Sequence, residues 1–140
     1  MINKLIYTLI SFTFFWNISR GNDSVLINRI TIHYIYSLTE TQYNISCNDF
    51  DVYRSRGGFM IKRLRTSAQI NLFIKFLGDY KVPSLVKRID VRAKAYIHYS
   101  NGKTSIVCID RFGDIMLNNK VLGVSSSLLL FLKKSCKGFE

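Results

Sequence analysis

Val91-Arg-Ala-Lys-Ala-Tyr-Ile-His-Tyr99-Ser-Asn-Gly-Lys-Thr104-Ser-Ile-Val-Cys-Ile-Asp110-Arg-Phe-Gly-Asp-Ile-Met-Leu117 is the stretch whose reading decides the fold. Its first nine residues alternate, with Val91, Ala93, Ala95, Ile97 and Tyr99 on one side and Arg92, Lys94, Tyr96 and His98 on the other. That period of two belongs to a half-buried strand. Asn101-Gly102 follows, a pair that tolerates the two positive φ angles of a type I′ hairpin turn. A partner strand then returns from Thr104 to Ile109. The expectation is a ribbon with an apolar side under helices and a cationic side in water.

Upstream, Val25 to Tyr36 reads as a strand carrying Ile30, Ile32, Tyr34 and Tyr36 on one face and Arg29, Thr31 and His33 on the other. Tyr43 to Cys47 resumes the alternation, which suggests a hairpin with the first strand and a bulge near Asn48-Asp49 before Phe50 and Val52. Thr66 or Ser67 is suited to cap a helix that carries Ile70, Phe73, Ile74 and Leu77 at helical spacing and ends near Gly78. Lys81 to Asp90, with Pro83, reads as a connector.

Downstream, Asp110 to Asp114 reads as a turn, and Asn118-Asn119-Lys120 as a second tight turn between Ile115–Leu117 and Val121–Val124. Ser125 to Ser127 caps a final helix through Cys136 whose leucines and Phe131 are apolar nearly all round. Such a helix is buried or meets a partner. The fold class expected is α+β, an antiparallel sheet of about five or six strands with a central helix and a C-terminal helix packed on one face.

The chain has 140 residues, 48% of them hydrophobic, enough for one domain to bury its own core. Residues 1–21 read as a secretory signal peptide: Lys4 gives a positive start, Leu5 to Trp16 is apolar, and Ser19 and Gly21 suit the −3 and −1 positions. The apolar run is shorter than a bilayer span requires, so a permanent membrane span is not expected. The remainder, residues 22–140, forms one small domain. Net charge is +11. Removing Lys4 and Arg20 with the leader leaves 18 basic against 9 acidic residues, net +9. A secreted or periplasmic location follows from the leader, and a polyanion or acidic protein is the partner that such a charge favours.

Of Cys47, Cys108 and Cys136, one disulfide suits an oxidising compartment, with Cys47–Cys108 a candidate because both lie in strand-like runs. Three pairings exist, and three buried thiols acting as small hydrophobes is an equal alternative. No CxxC or zinc spacing occurs, and neither a metal nor a small-molecule cofactor is expected. Asn44-Ile-Ser46 matches a glycosylation sequon.

Two groups of cations are candidate binding residues. Arg54, Arg56, Lys62, Arg63 and Arg65 surround Gly57-Gly58, which reads as a hairpin turn with a solvated basic rim or else as a mobile loop whose backbone donors and guanidinium groups could face an anion; no phosphate-loop spacing is present, and Arg54, Arg56, Lys62 and Arg63 are the binding candidates. Arg92, Lys94, Tyr96 and His98 form the other group, on the polar side of the central ribbon. His33 and His98 are the only histidines. Paired on one face, they could act as base and acid on a phosphodiester, and otherwise they are ordinary surface residues. Asp49 with Asp51, and Asp110 with Asp114, fit turn-forming carboxylates better than a calcium loop.

The function expected is a non-catalytic binding protein, inhibitor- or immunity-like, that meets an acidic macromolecule through a basic sheet face. The alternatives are a secreted nucleic-acid or polyanionic-glycan binder, with phosphodiesterase activity by His33 and His98 as its extreme, and an envelope-associated structural module. Oligomeric state is not legible.

Overall fold

The computed structural model describes residues 25–36, 40–54, 58–82 and 88–139. The expected signal peptide, Arg56 and Gly57 lie outside them. The chain runs β1 (Ile27–Ile35), α1 (Phe50–Arg54), β2 (Phe59–Leu64), α2 (Ser67–Gly78), β3 (Val91–Tyr99), β4 (Thr104–Asp110), β5 (Asp114–Leu117), β6 (Lys120–Val124) and α3 (Ser126–Ser135). The six strands form one antiparallel sheet in the order β2-β1-β3-β4-β5-β6. This is the α+β architecture the patterning predicts.

On one face, Ile30, Ile32 and Tyr34 of β1, Leu64 of β2, Ala93, Ala95 and Ile97 of β3, and Val107 and Ile109 of β4 meet the helices. Ile70, Phe73 and Leu77 of α2 and Leu128, Phe131 and Leu132 of α3 close over them. Small alanines at the centre of β3 let the helices approach while the branched neighbours fill the flanks. Thr66 caps α2 by accepting from the Gln69 N–H, and Ser125 caps α3 by accepting from the Leu128 N–H. The Ser125 hydroxyl also donates to the Phe76 carbonyl at 2.8 Å, tying the start of α3 to the end of α2. The apolar surface of α3 is therefore directed inward, with Leu130 the leucine left exposed.

Three local expectations are corrected. Residues 43–53 add no strand: the segment is irregular and ends in the short helix α1, while the second strand is Phe59–Leu64, which the glycine-rich pattern had suggested was a loop. The central hairpin turns through three residues. Gly102 donates to the Tyr99 carbonyl at 3.1 Å, Tyr99 donates to the Lys103 carbonyl at 3.0 Å, and only Gly102, at φ 80°, is left-handed. That is a type I turn closed by a glycine bulge. The two-residue turn with both φ angles positive lies instead at Asn118 (46°) and Asn119 (67°), between paired Leu117 and Lys120.

Candidate functional site

The opposite face of the sheet is built in rungs, because paired residues of antiparallel strands project to the same side. Ile61, His33, Lys94, Cys108 and Met116 make one rung, and Arg63, Thr31, Tyr96 and Ile106 make the next. Beyond them Arg29 pairs with His98 and His98 with Thr104. One step past the Ile30–Leu64 pair, the same register brings Arg65 beside Arg29.

Half of this face is covered. Residues 41–54 lie over the end of β3 and hold a second core of Ile35, Ile45, Cys47, Phe50, Ile89, Val91 and Cys108. Cys47 and Cys108 are joined as a disulfide across 61 residues of sequence. Asp90 is the polar anchor of the cover. It accepts from the Ile45 N–H at 2.9 Å and from the Arg111 guanidinium at 3.1 Å, and it pairs with Arg92. Arg92 also donates to the Thr41 hydroxyl at 3.2 Å. Burial alone would raise the Asp90 pKa, but the Ile45 N–H and the Arg92 and Arg111 guanidinium groups hold it below the ordinary carboxylate value.

Arg92 and Lys94 consequently do not form a wet cationic surface, and that expectation is corrected. Arg92 is wholly buried and Lys94 is 5% exposed. Arg92 sits at a bulge between the Val91–Asp110 and Ala93–Ile109 pairs, which turns it beneath the covering segment. The Lys94 ammonium donates to Asp51 at 2.6 Å and to the Cys47 carbonyl at 3.0 Å. The Tyr96 hydroxyl donates to the other oxygen of Asp51 at 2.7 Å. These two cations of the expected binding set hold the cover in place, because a charge taken from water needs a partner at short range.

The two histidines share the face, yet the register sets them apart. His33 lies level with Lys94 and His98 is four residues further along β3, roughly 13 Å at the rise of a strand. His33 packs against the rings of Tyr96 (5.1 Å between centroids) and Phe59 (5.7 Å). His98 faces Thr104, and burial, with the nearby Arg29 charge, lowers its pKa. One reacting atom cannot sit within hydrogen-bond reach of both rings.

The other half of the face is open, and its cations are different ones. Asn28, Arg29, Thr31, Arg63 and Arg65 line a groove of about 540 Å³. Arg29, Arg63 and Arg65 are all exposed, and among the described residues no carboxylate pairs with them. Arg63 lines this groove with Arg29 and Arg65. Lys62, its neighbour along the strand, projects to the helix face, where its charge reaches Cys136. Arg54 is the last residue of α1. Arg65, one of the cations around Gly57-Gly58, and Arg29, on the polar side of the first strand, are the groove's arginines outside the expected binding set. Their signal was Arg29 on the polar side of the first strand, facing whichever strand pairs with it.

Among the described residues no group of three or more His, Cys, Asp or Glu is placed to hold a metal ion, and no helix is long and apolar enough to cross a membrane. Comparison with known proteins adds no assignment: no family model matches the chain, and no curated protein or solved structure matches it.

Proposed function

We propose that the protein is a secreted or periplasmic non-catalytic binding protein, inhibitor- or immunity-like, whose open half-face takes an acidic macromolecular partner. The observation that carries this reading is that Arg29, Arg63 and Arg65 line one groove without a counter-charge among the described residues. Like charges set side by side across strands repel, and an anionic partner relieves that repulsion. The net charge of +9 that remains without Lys4 and Arg20 draws the same class of partner from a distance. The Cys47–Cys108 disulfide supports a compartment more oxidising than cytosol.

The test uses poly-L-glutamate and a single-stranded DNA oligonucleotide as probes over a salt series. Binding to poly-L-glutamate weakens as salt rises. It falls about tenfold or more in Arg29→Glu/Arg65→Glu, since a charge-assisted contact contributes roughly 1.5–3 kcal/mol. Lys133→Glu/Lys134→Glu, on exposed positions of α3, leaves it within a few-fold. Equal loss in both variants, or tighter binding of DNA than of polyglutamate, overturns the acidic-protein reading; the second outcome favours a nucleic-acid binder.

A further inference from the structure

We infer that the acidic partner docks as an extended strand added to the outer edge of β2. This rests on the preceding reading of the arginine groove and specifies how it is used. The sheet has two outer strands, β2 and β6, and they are treated differently. The edge of β6 is capped at its Val124 end by Lys81, whose N–H donates to the Val124 carbonyl at 2.9 Å while its carbonyl accepts from the Val124 N–H at 3.0 Å. Among the described residues no strand pairs with the outer side of β2, Phe59–Leu64. An edge strand turns alternate N–H and C=O groups outward, which is a template for another strand.

Side chains choose the occupant. Met60 and Ile61 are 38% and 44% exposed, so the edge offers apolar contact on both faces near its start. Arg63 and Arg65 follow on the groove side and Lys62 on the other. A second copy of β2 would set these cations against one another, which disfavours self-pairing. A strand with carboxylates at alternate positions puts them all on one face, opposite Arg63 and Arg65 and within the groove that Arg29 completes. Backbone hydrogen bonds supply affinity in such docking, and the alternate side chains supply specificity.

Three labelled peptides test this on the full chain: a six-residue peptide alternating glutamate with threonine, and two versions N-methylated at its odd or its even positions. A strand uses only every second N–H toward one neighbour, so one methylation pattern lowers affinity about tenfold or more and the other leaves it within a few-fold. The alternate amide protons of residues 60–64 that face away from β1 gain exchange protection with the unmodified peptide. Equal binding of all three peptides overturns strand addition while leaving the basic groove standing. Failure of both this peptide and poly-L-glutamate to bind overturns the groove reading as well, and binding of poly-L-glutamate alone overturns strand addition only.

Discussion

The Lys94 ammonium and the Asp51 carboxylate meet at 2.6 Å across a sheet face whose sequence pattern points to solvent. Their environments are unequal, since the Lys94 side chain is 6% exposed and that of Asp51 40%. Removing the acid strands a charge that water cannot reach, whereas removing the cation leaves an acid that water can. Asp51→Asn therefore costs about 3 kcal/mol, and Lys94→Met, which keeps the apolar stem, about 1 kcal/mol. Urea midpoints of the two variants check the order. A Lys94→Met loss as large as that of Asp51→Asn contradicts it.

The disulfide fixes the same cover covalently. Closing a loop across 61 residues restricts the unfolded chain, and loop-entropy arguments put the stabilisation at about 4 kcal/mol. Cys47→Ser/Cys108→Ser lowers the unfolding midpoint accordingly, and protease cuts appear first within residues 41–54. Cys136 serves as an internal control. It is 1% exposed, and burial pushes its thiol up to about 11. Alkylation at neutral pH should leave it unmodified in the folded protein and label it on denaturation.

The strand and helix periods were legible because each of those elements has one face in a continuous apolar core. Residues 43–53 were not, since Tyr43, Ile45 and Cys47 imitate a strand's alternation while their backbone has no ladder to join. The buried fate of Lys94 depends on the turn. Lys94 pairs with Cys108 across β3 and β4, so a Cys47–Cys108 bridge brings chain over the very place where Lys94 projects. A two-residue turn at Asn101-Gly102 sets Cys108 opposite Ala95 on the apolar side, and only the three-residue turn brings it to Lys94, so the conflict between a bridge at Cys108 and a wet Lys94 is not visible in the sequence. The open groove escaped notice for another reason. Arg29 and Arg65 are 36 residues apart, and only the pairing of β2 on β1, which the sequence pattern does not reveal, puts them in one groove.

Asp110 and Asp90 give opposite pH signatures. Burial pushes Asp110 up to about 6, against the pull of the Asp114 and Phe112 N–H groups, and the Asp114 charge adds to the rise. A carboxyl raised on folding stabilises the fold less once it ionises, so its penalty grows as pH climbs from about 4 through about 6. Asp90, lowered on folding, contributes stability above its unfolded pKa that is lost as pH falls through its folded one. In Asp110→Asn the amide oxygen still accepts from Phe112 and Asp114, which donate at 2.8 Å each. That variant should be more stable than the parent by on the order of 1–2 kcal/mol at pH 7 and near parity at pH 4. Melting temperature against pH measures it, and an unchanged slope between pH 4 and 6 rules out Asp110 as the source.

The closed edge of the sheet makes the last test. Gly123 has φ 149°, and a Cβ there would lie 2.2 Å from the Lys81 carbonyl oxygen and 2.8 Å from its carbon. Those atoms are backbone and belong to the bridge that seals β6, so a side chain at this position cannot be accommodated by a rotamer change. Gly123→Ala must move Lys81 away and strain its own backbone, at a cost of about 2–4 kcal/mol. Two backbone hydrogen bonds open with it, and the Val124 end of the β6 edge is bared. The expected result is a lowered unfolding midpoint, loss of exchange protection at Lys81 and Val124, and concentration-dependent association absent from the parent. Retained protection at both amides would mean that Lys81 does not seal this edge, and the contrast between β6 and the open edge of β2 would lose its force.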